Sequence, residues 1–198
     1  MDVYKAAISR RSIRRFKDIA VPYEALEKCV NAARLAPSGM NRQLCEYIII
    51  DDEQLLPKVF DSIPRWAGQP KPKGTLLEHT PKAYIIILIN SALEAELGGN
   101  QRIIFYDVGL AAENIILVAL EQGIGSCPLL SFTEDELKQV PSIPDDYKIA
   151  LVLALGYPNE SPVAEVATDS VRFWVDNQGT RHVPKRKLED ILHRNKFQ

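Results

Sequence analysis

Arg10, Arg11, Arg14, Arg15 and Lys17 crowd the beginning of the chain, with Ser12 among them. On an extended segment Arg10, Ser12 and Arg14 alternate and point the same way. Two guanidinium forks and a hydroxyl suit a phosphate or the polar edge of a heterocycle. A second group, Pro37-Ser38-Gly39-Met40-Asn41-Arg42-Gln43, places a hydroxyl, two amides and a guanidinium on a sharp turn. A third, Gly123-Ile124-Gly125-Ser126-Cys127-Pro128-Leu129-Leu130-Ser131, exposes backbone N–H groups and can lie along an aromatic ring. A fourth, Val183-Pro184-Lys185-Arg186, sets two cations after a proline, where they suit a phosphate. Taken singly, each has a plain alternative: a solvated basic turn, a helix stop, or a surface charge run.

Other chemistries lack their residues. The chain has no Walker loop, HExxH or GxSxG, and Gly123 and Gly125 lack the third glycine of a dinucleotide fingerprint. His79, His182 and His193 are isolated in sequence and read as surface or hydrogen-bonding decoration. Cys29, Cys45 and Cys127 are odd in number, far apart and without metal-ligand spacing, which argues against a disulfide framework or a zinc site and for a reducing, cytoplasmic compartment. The net charge of −2 does not advertise a polyanion partner and no interleaved aromatics or zinc scaffold accompany the N-terminal basic run, so no nucleic-acid partner is expected. No signal region and no membrane-length apolar run stand out, so no membrane association is expected either. The charge is unevenly spread, however. Arg181, His182, Lys185, Arg186 and Lys187 form a second basic cluster near the C-terminus, and the two clusters would make one anion site if the chain ends meet.

The 198 residues, 46% hydrophobic and 25% charged, suffice for one globular domain spanning the whole chain. Asp2 caps a first helix to Ser9, and Pro22 opens a second with the apolar stripe Leu26, Cys29, Val30, Ala33 and Leu35. Tyr47 to Ile50 and Ala83 to Ile89 read as buried strands. The proline- and lysine-rich stretch between them, about residues 57–80, reads as a surface excursion or lid. Ile103 to Gln122 is a long helix, apolar nearly all round, with Gly123 as its C-cap. One small domain covers one side of such a helix, so a partner subunit is expected on the other. A strand or loop follows from Ser126 to Ser131, then a helix with a Thr133/Glu136 capping box and a strand from Ile149 to Leu155. A hairpin turns at Asp176-Asn177-Gln178-Gly179, and Lys187 to Leu192 reads as a short last helix. The mixture is α+β.

In this order and combination, the four groups resemble the nitroreductase family of FMN flavoproteins. Its members carry R-x-S-x-R after a first helix, P-S-x-x-N-x-Q after the second, and a long central helix running into a Gly-x-Gly-Ser segment. A basic pair follows near the C-terminus. The likeness spans essentially the whole chain. It implies a nitroreductase-like fold, a central mixed or antiparallel sheet wrapped by helices, with the long helix at a homodimer interface. It also implies a residue-by-residue assignment. Arg10, Arg11, Ser12 and Arg14 would serve the phosphate, ribityl chain and pyrimidine edge of FMN, with Lys185 and Arg186 at the phosphate. Pro37, Ser38, Asn41 and Gln43 would serve the flavin of the partner subunit, and Pro128, Leu129, Leu130 and Ser131 would pass beside the ring. Leu44 and Cys45 depart from the Pro-Trp of many relatives, and Leu129 and Leu130 from their aromatic residue or Glu-Gly pair. The segment from Arg65 to Lys73 matches no substrate pattern.

The resemblance further implies ping-pong hydride transfer from NADH or NADPH through FMN to a small oxidised acceptor such as a nitroaromatic or quinone, with no obligatory catalytic side chain and no metal. The same scaffold also suits dehalogenation, flavin destruction or enoate reduction, or a flavin-binding protein without catalysis.

Overall fold

A computed structural model describes residues 2–74, 78–96 and 101–197. The chain packs as two compact units, Met1–Asn159 and Glu160–Gln198. In the first, the elements run α1 (Val3–Ser9), α2 (Tyr23–Ala33), β1 (Cys45–Ile50), α3 (Leu56–Asp61), β2 (Arg65–Trp66), β3 (Gln69–Pro70), β4 (Ala83–Asn90), α4 (Ser91–Ala95), α5 (Gln101–Glu121), β5 (Gly125–Leu129), α6 (Glu134–Gln139) and β6 (Tyr147–Gly156). The second contains β7 (Val163–Val166), β8 (Trp174–Val175) and β9 (Arg181–Lys185). The α+β expectation holds.

An antiparallel sheet in the order β1-β4-β6-β5 organises the first unit. Its central strand β4 is buried from Ala83 to Ile89 because both faces are covered, which is why it reads as a continuous apolar run and not an alternating one. Ile85, Ile87 and Ile89 pack with Leu26, Cys29, Ile115 and Leu153 under α2 and α5. Tyr84, Ile86 and Leu88 point the other way, into a second core with Phe16, Phe60, Ile63 and Trp66.

That second core revises the reading of residues 57–80. Val59, Phe60, Ile63 and Trp66 are buried, so the segment from α3 through β2 roofs one face of the sheet. Prolines rule out one long element there, but they do not stop short pieces from burying their aromatics. Residues 75–77, also in that stretch, lie outside the described residues.

Helix α5 is long and apolar enough to cross a bilayer by length and composition, against the expectation that the chain has no such run. In this fold it is a core helix. Ile104, Val108, Ala111, Ala112, Ile115 and Ala119 are buried, and α5 packs on α2 and on the sheet. Its outer stripe is bare: Phe105 is 70% exposed, Tyr106 62% and Leu110 46%.

Local signals mostly hold. Asp2 accepts from the Lys5 N–H at 2.8 Å, and Gly123 ends α5 at φ +75°. Gly179 (φ +82°) closes the hairpin, where Asp176 N–H donates to the Thr180 carbonyl at 3.0 Å. Three readings need correction. The capping box does not close: Thr133 makes no side-chain cap bond, and Glu136 is drawn instead to Lys73 Nζ at 2.6 Å. Leu35 lies past the end of α2 and is exposed, and the last helix is a single 3-10 turn at Leu188–Asp190. His182, isolated in sequence, has the hydrogen-bonding role expected of it. It lies between Glu165 (3.0 Å) and Asp176 (3.4 Å) and stacks on Trp174 at 4.0 Å, because the β7-β9-β8 sheet unites residues scattered in sequence. The two carboxylates hold its imidazolium above the ordinary histidine range, with Glu165 contributing most.

Candidate functional site

After α1, the chain leaves Arg10 in extended conformation and runs alongside β5. Ser12 bridges Ser126 in parallel, and Ile13 N–H donates to the Ser126 carbonyl at 2.9 Å. The first and third sequence groups, 114 residues apart at Ser12 and Ser126, are thereby side by side. β5 is an edge strand, which is where a strand tolerates Pro128 with its missing N–H. Leu129, the last residue of the strand, is half-buried, and Leu130 and Ser131 beyond it are exposed.

The close approach depends on Gly125. A Cβ there would meet Ile13 Cγ1 at 2.7 Å, Ile13 Cβ at 2.9 Å and Pro158 at 3.0 Å, and Ile13 is itself buried. Gly125→Ala is therefore expected to cost about 1–3 kcal/mol by overpacking and to lower Tm by several degrees. Thermal unfolding of the variant checks this; an unchanged Tm would mean that the Ser12 strand yields freely.

The cations are held individually. Arg10 Nε lies 3.5 Å from Glu113 on α5, and Arg14 Nη1 donates to the Ser12 carbonyl at 3.4 Å. Arg11 Nη1 donates to the Ile8 carbonyl at 2.9 Å, yet its Nε is buried with no hydrogen-bond partner among the described residues. A buried donor without an acceptor is costly, and an anionic ligand would satisfy it. The donor set of Arg10, Arg11, Ser12 and Arg14 suits a phosphate-bearing molecule.

The Pro37–Gln43 loop is anchored elsewhere on α5. Gly39 N–H donates to both oxygens of Asp107, at 3.0 and 3.2 Å. A Cβ on Gly39 would strike Ile103 at 2.5 Å, so only glycine lets the loop lie this close to the helix. Met40, Asn41 and Gln43 have φ of +52 to +54°, interrupted by Arg42 at −75°, and positive φ in non-glycine residues stores backbone strain that occurs preferentially at ligand sites. Ser38 Oγ accepts from Gln43 N–H at 3.1 Å, and the Gln43 side-chain amide donates to the Asn41 carbonyl at 3.4 Å, which sets the loop's shape. Pro37, Asn41 and Gln43 are exposed. Behind the loop, Cys45 shares a small cavity of about 140 Å³ with Ser38, Tyr47 and Asp107. Burial, then the Asp107 charge, pushes its thiol up to about 11, so it is no nucleophile at neutral pH.

Lys185 and Arg186 belong to the second unit. Lys185 ends β9, its carbonyl accepting from Ala167 N–H at 2.8 Å, and Arg186 Nη2 donates to the Asp190 carbonyl at 2.7 Å.

Asp107, Glu113 and Trp66, which contact the candidate groups, are not picked out by the sequence reading. Asp107, an acid in an otherwise apolar helix, was the one with a sequence signal; it is 5% exposed and anchors the loop. Trp66 and Glu113 carry no local mark.

The nitroreductase family model matches residues 7–157. The chain belongs to the nitroreductase family. Relatives of this family member include a Methanothermobacter thermautotrophicus protein called "Putative NADH dehydrogenase/NAD(P)H nitroreductase", 31% identical over 169 residues that cover 82% of this chain and 80% of that one. An iodotyrosine deiodinase from Haliscomenobacter hydrossis is 24% identical over 180 residues, 80% of each chain. The solved structure of an FMN-dependent nitroreductase from Clostridium difficile R20291 superposes with a TM-score of 0.69 at 23% identity, over 98% of this chain and 100% of that one. The nitroreductase-like fold expected from sequence is thus the fold of this family member.

Proposed function

We propose that this chain is an FMN-dependent oxidoreductase that takes hydride from NADH or NADPH and delivers it to a small oxidised acceptor, working as a homodimer. The pairing of Ser12 and Ile13 with Ser126 supports this reading: it brings the Arg10–Arg14 segment beside the start of the Gly125–Ser131 strip, whose later residues would flank a flat ring. The unsatisfied Arg11 Nε and the phosphate-binding character of the donor set support the phosphate end. Bound FMN would supply the hydride relay between nicotinamide and acceptor, in ping-pong order. The protein binds and orients. Arg10, Arg11 and Ser12 would hold the phosphate and ribityl chain, and Arg14 the pyrimidine edge, where its charge favours the reduced cofactor electrostatically. Pro128, Leu129, Leu130 and Ser131 would flank the ring. The resemblance and their charge nominate Lys185 and Arg186 for the phosphate, and Pro37, Ser38, Asn41 and Gln43 would serve the partner's flavin.

The bare stripe of Phe105, Tyr106 and Leu110 supports the dimer, with an interface in the obligate range above ~2,000 Å². Three free cysteines, two of them buried, suit a reducing cytoplasm. A second reading, reductive dehalogenation on the same flavin, is favoured by the deiodinase relative.

Protein purified without added flavin is expected to be yellow, to sediment as a dimer at micromolar concentration, and to oxidise NADH or NADPH when a nitroarene or quinone is supplied. Colourless protein that ignores added FMN overturns the reading, a folded monomer overturns the dimer, and flavin-loaded protein inert to NADH and NADPH points to a carrier. Turnover of halogenated phenols but not nitroarenes would select the second reading.

A further inference from the structure

The segment from Arg65 to Lys73 has no part in the site as proposed, yet it reaches it. β2 and β3 form a tight hairpin turned by Ala67 (φ +52°) and Gly68 (φ +88°), and Arg65 is spent on that turn, donating to the Gly68 carbonyl at 3.2 Å. Trp66 points inward and is 7% exposed. Its ring meets Phe60 edge-on, with centroids 5.3 Å apart and planes at 78°. Lys71, its side chain 2% exposed, sets its ammonium over the Phe60 ring at 4.5 Å and 3.6 Å from Asp61. This packing leaves the indole little freedom, and its Nε1–H donates to the carbonyl of Arg14 at 3.2 Å, 52 residues away.

The position of that bond matters. Around Arg14 the strand is held by backbone partners: Ile13 N–H on Ser126, the Arg15 carbonyl accepting from Asn159, and Phe16 N–H on His79. The Arg14 carbonyl is held by a side chain, the indole of Trp66. The bond orients the peptide plane after Arg14 and, through it, the direction in which the Arg14 side chain leaves the strand.

We propose that Trp66 is a positioning residue for Arg14, and that the β2–β3 hairpin exists in this chain to aim that guanidinium at the pyrimidine edge of FMN. The inference rests on the FMN reading above. Trp66 touches no cofactor; it acts through the Arg14 backbone. A neutral hydrogen bond of this kind corresponds to about a two- to tenfold change in an equilibrium constant.

Three measurements on the purified protein test this: FMN dissociation constant, flavin midpoint potential, and Tm of the apoprotein. Trp66→Phe is expected to weaken FMN binding about two- to tenfold and to lower the midpoint potential, because a misaimed cation stabilises the reduced flavin less. Val59→Ala, which loosens the same core but keeps the Phe60–Trp66 ring pair and the indole N–H, is expected to lower Tm while leaving affinity and potential near wild type. In an Arg14→Ala background, Trp66→Phe should change neither flavin property further. If Trp66→Phe does not fold, Trp66→benzothienylalanine keeps the two-ring shape with sulfur in place of N–H and reads the same quantities. Unchanged affinity and potential in the N–H-less variants, or a full additional loss in the Arg14→Ala background, overturns the proposal and leaves Trp66 as packing. Wild-type protein that binds no FMN would instead sink the cofactor reading on which it rests.

Discussion

Arg10→Ala and Arg14→Ala are each expected to lower FMN affinity about ten- to a hundredfold, since a charge-assisted contact contributes roughly 1.5–3 kcal/mol. The fold should barely notice. Arg10's ionic partner in the protein is Glu113 at 3.5 Å, with side chains 31% and 48% exposed, and an ion pair that open to water contributes at most about 1 kcal/mol. Arg14's bond to the Ser12 carbonyl is a long 3.4 Å, and the thermal unfolding of Arg14→Ala reads what its ties within the protein contribute. Binding therefore falls far more than stability. Flavin fluorescence titrations and thermal unfolding of the apoproteins separate the two quantities, and raising the salt concentration should narrow the gap between wild type and variants. Full flavin retention in both variants would return the Arg10–Arg14 segment to a solvated basic turn.

Mixing two crippled subunits is expected to restore activity, the largest change of all. If Arg10 serves the flavin of its own subunit while Asn41 serves the partner's, an Arg10→Ala chain paired with an Asn41→Ala chain builds one site from two wild-type halves and one from two mutant halves. The heterodimer should then recover to about half of wild-type activity, although each mutant homodimer is impaired at both sites. A chain carrying both substitutions, paired with wild type, should damage both sites at once. Subunits must be exchanged through unfolding, since an obligate interface does not swap readily. FMN content and NADH or NADPH oxidation of the tagged, purified heterodimer give the answer. Activity no better than the mean of the two mutant homodimers means that each site is built within one chain. The anchoring of the two groups motivates the experiment: Arg10 reaches α5 at Glu113, whereas the Asn41 loop is fastened through Gly39 to Asp107, about 9 Å back along the helix.

Much of this architecture was legible in the residues. The Asp2 cap, the long α5 ended by Gly123 and the Asp176–Gly179 turn rest on interactions within a few positions along the chain, so periodicity and turn chemistry expose them, and β4 shows as an unbroken apolar run. The four polar groups were visible too, because their residue types and order are themselves the signal. The tertiary structure decided which of them meet. It laid Ser12 beside Ser126, hung Gly39 on Asp107 and brought the indole of Trp66 to Arg14. It also turned the expected surface excursion into the roof of a core and drew Glu136 away from its cap to Lys73. These contacts span 52 to 114 residues and leave no period in the sequence. Each forms only after the sheet and α5 have closed the loop between its partners, so its energy depends on where the whole core has placed two distant backbones, and no stretch of neighbouring residues encodes that placement.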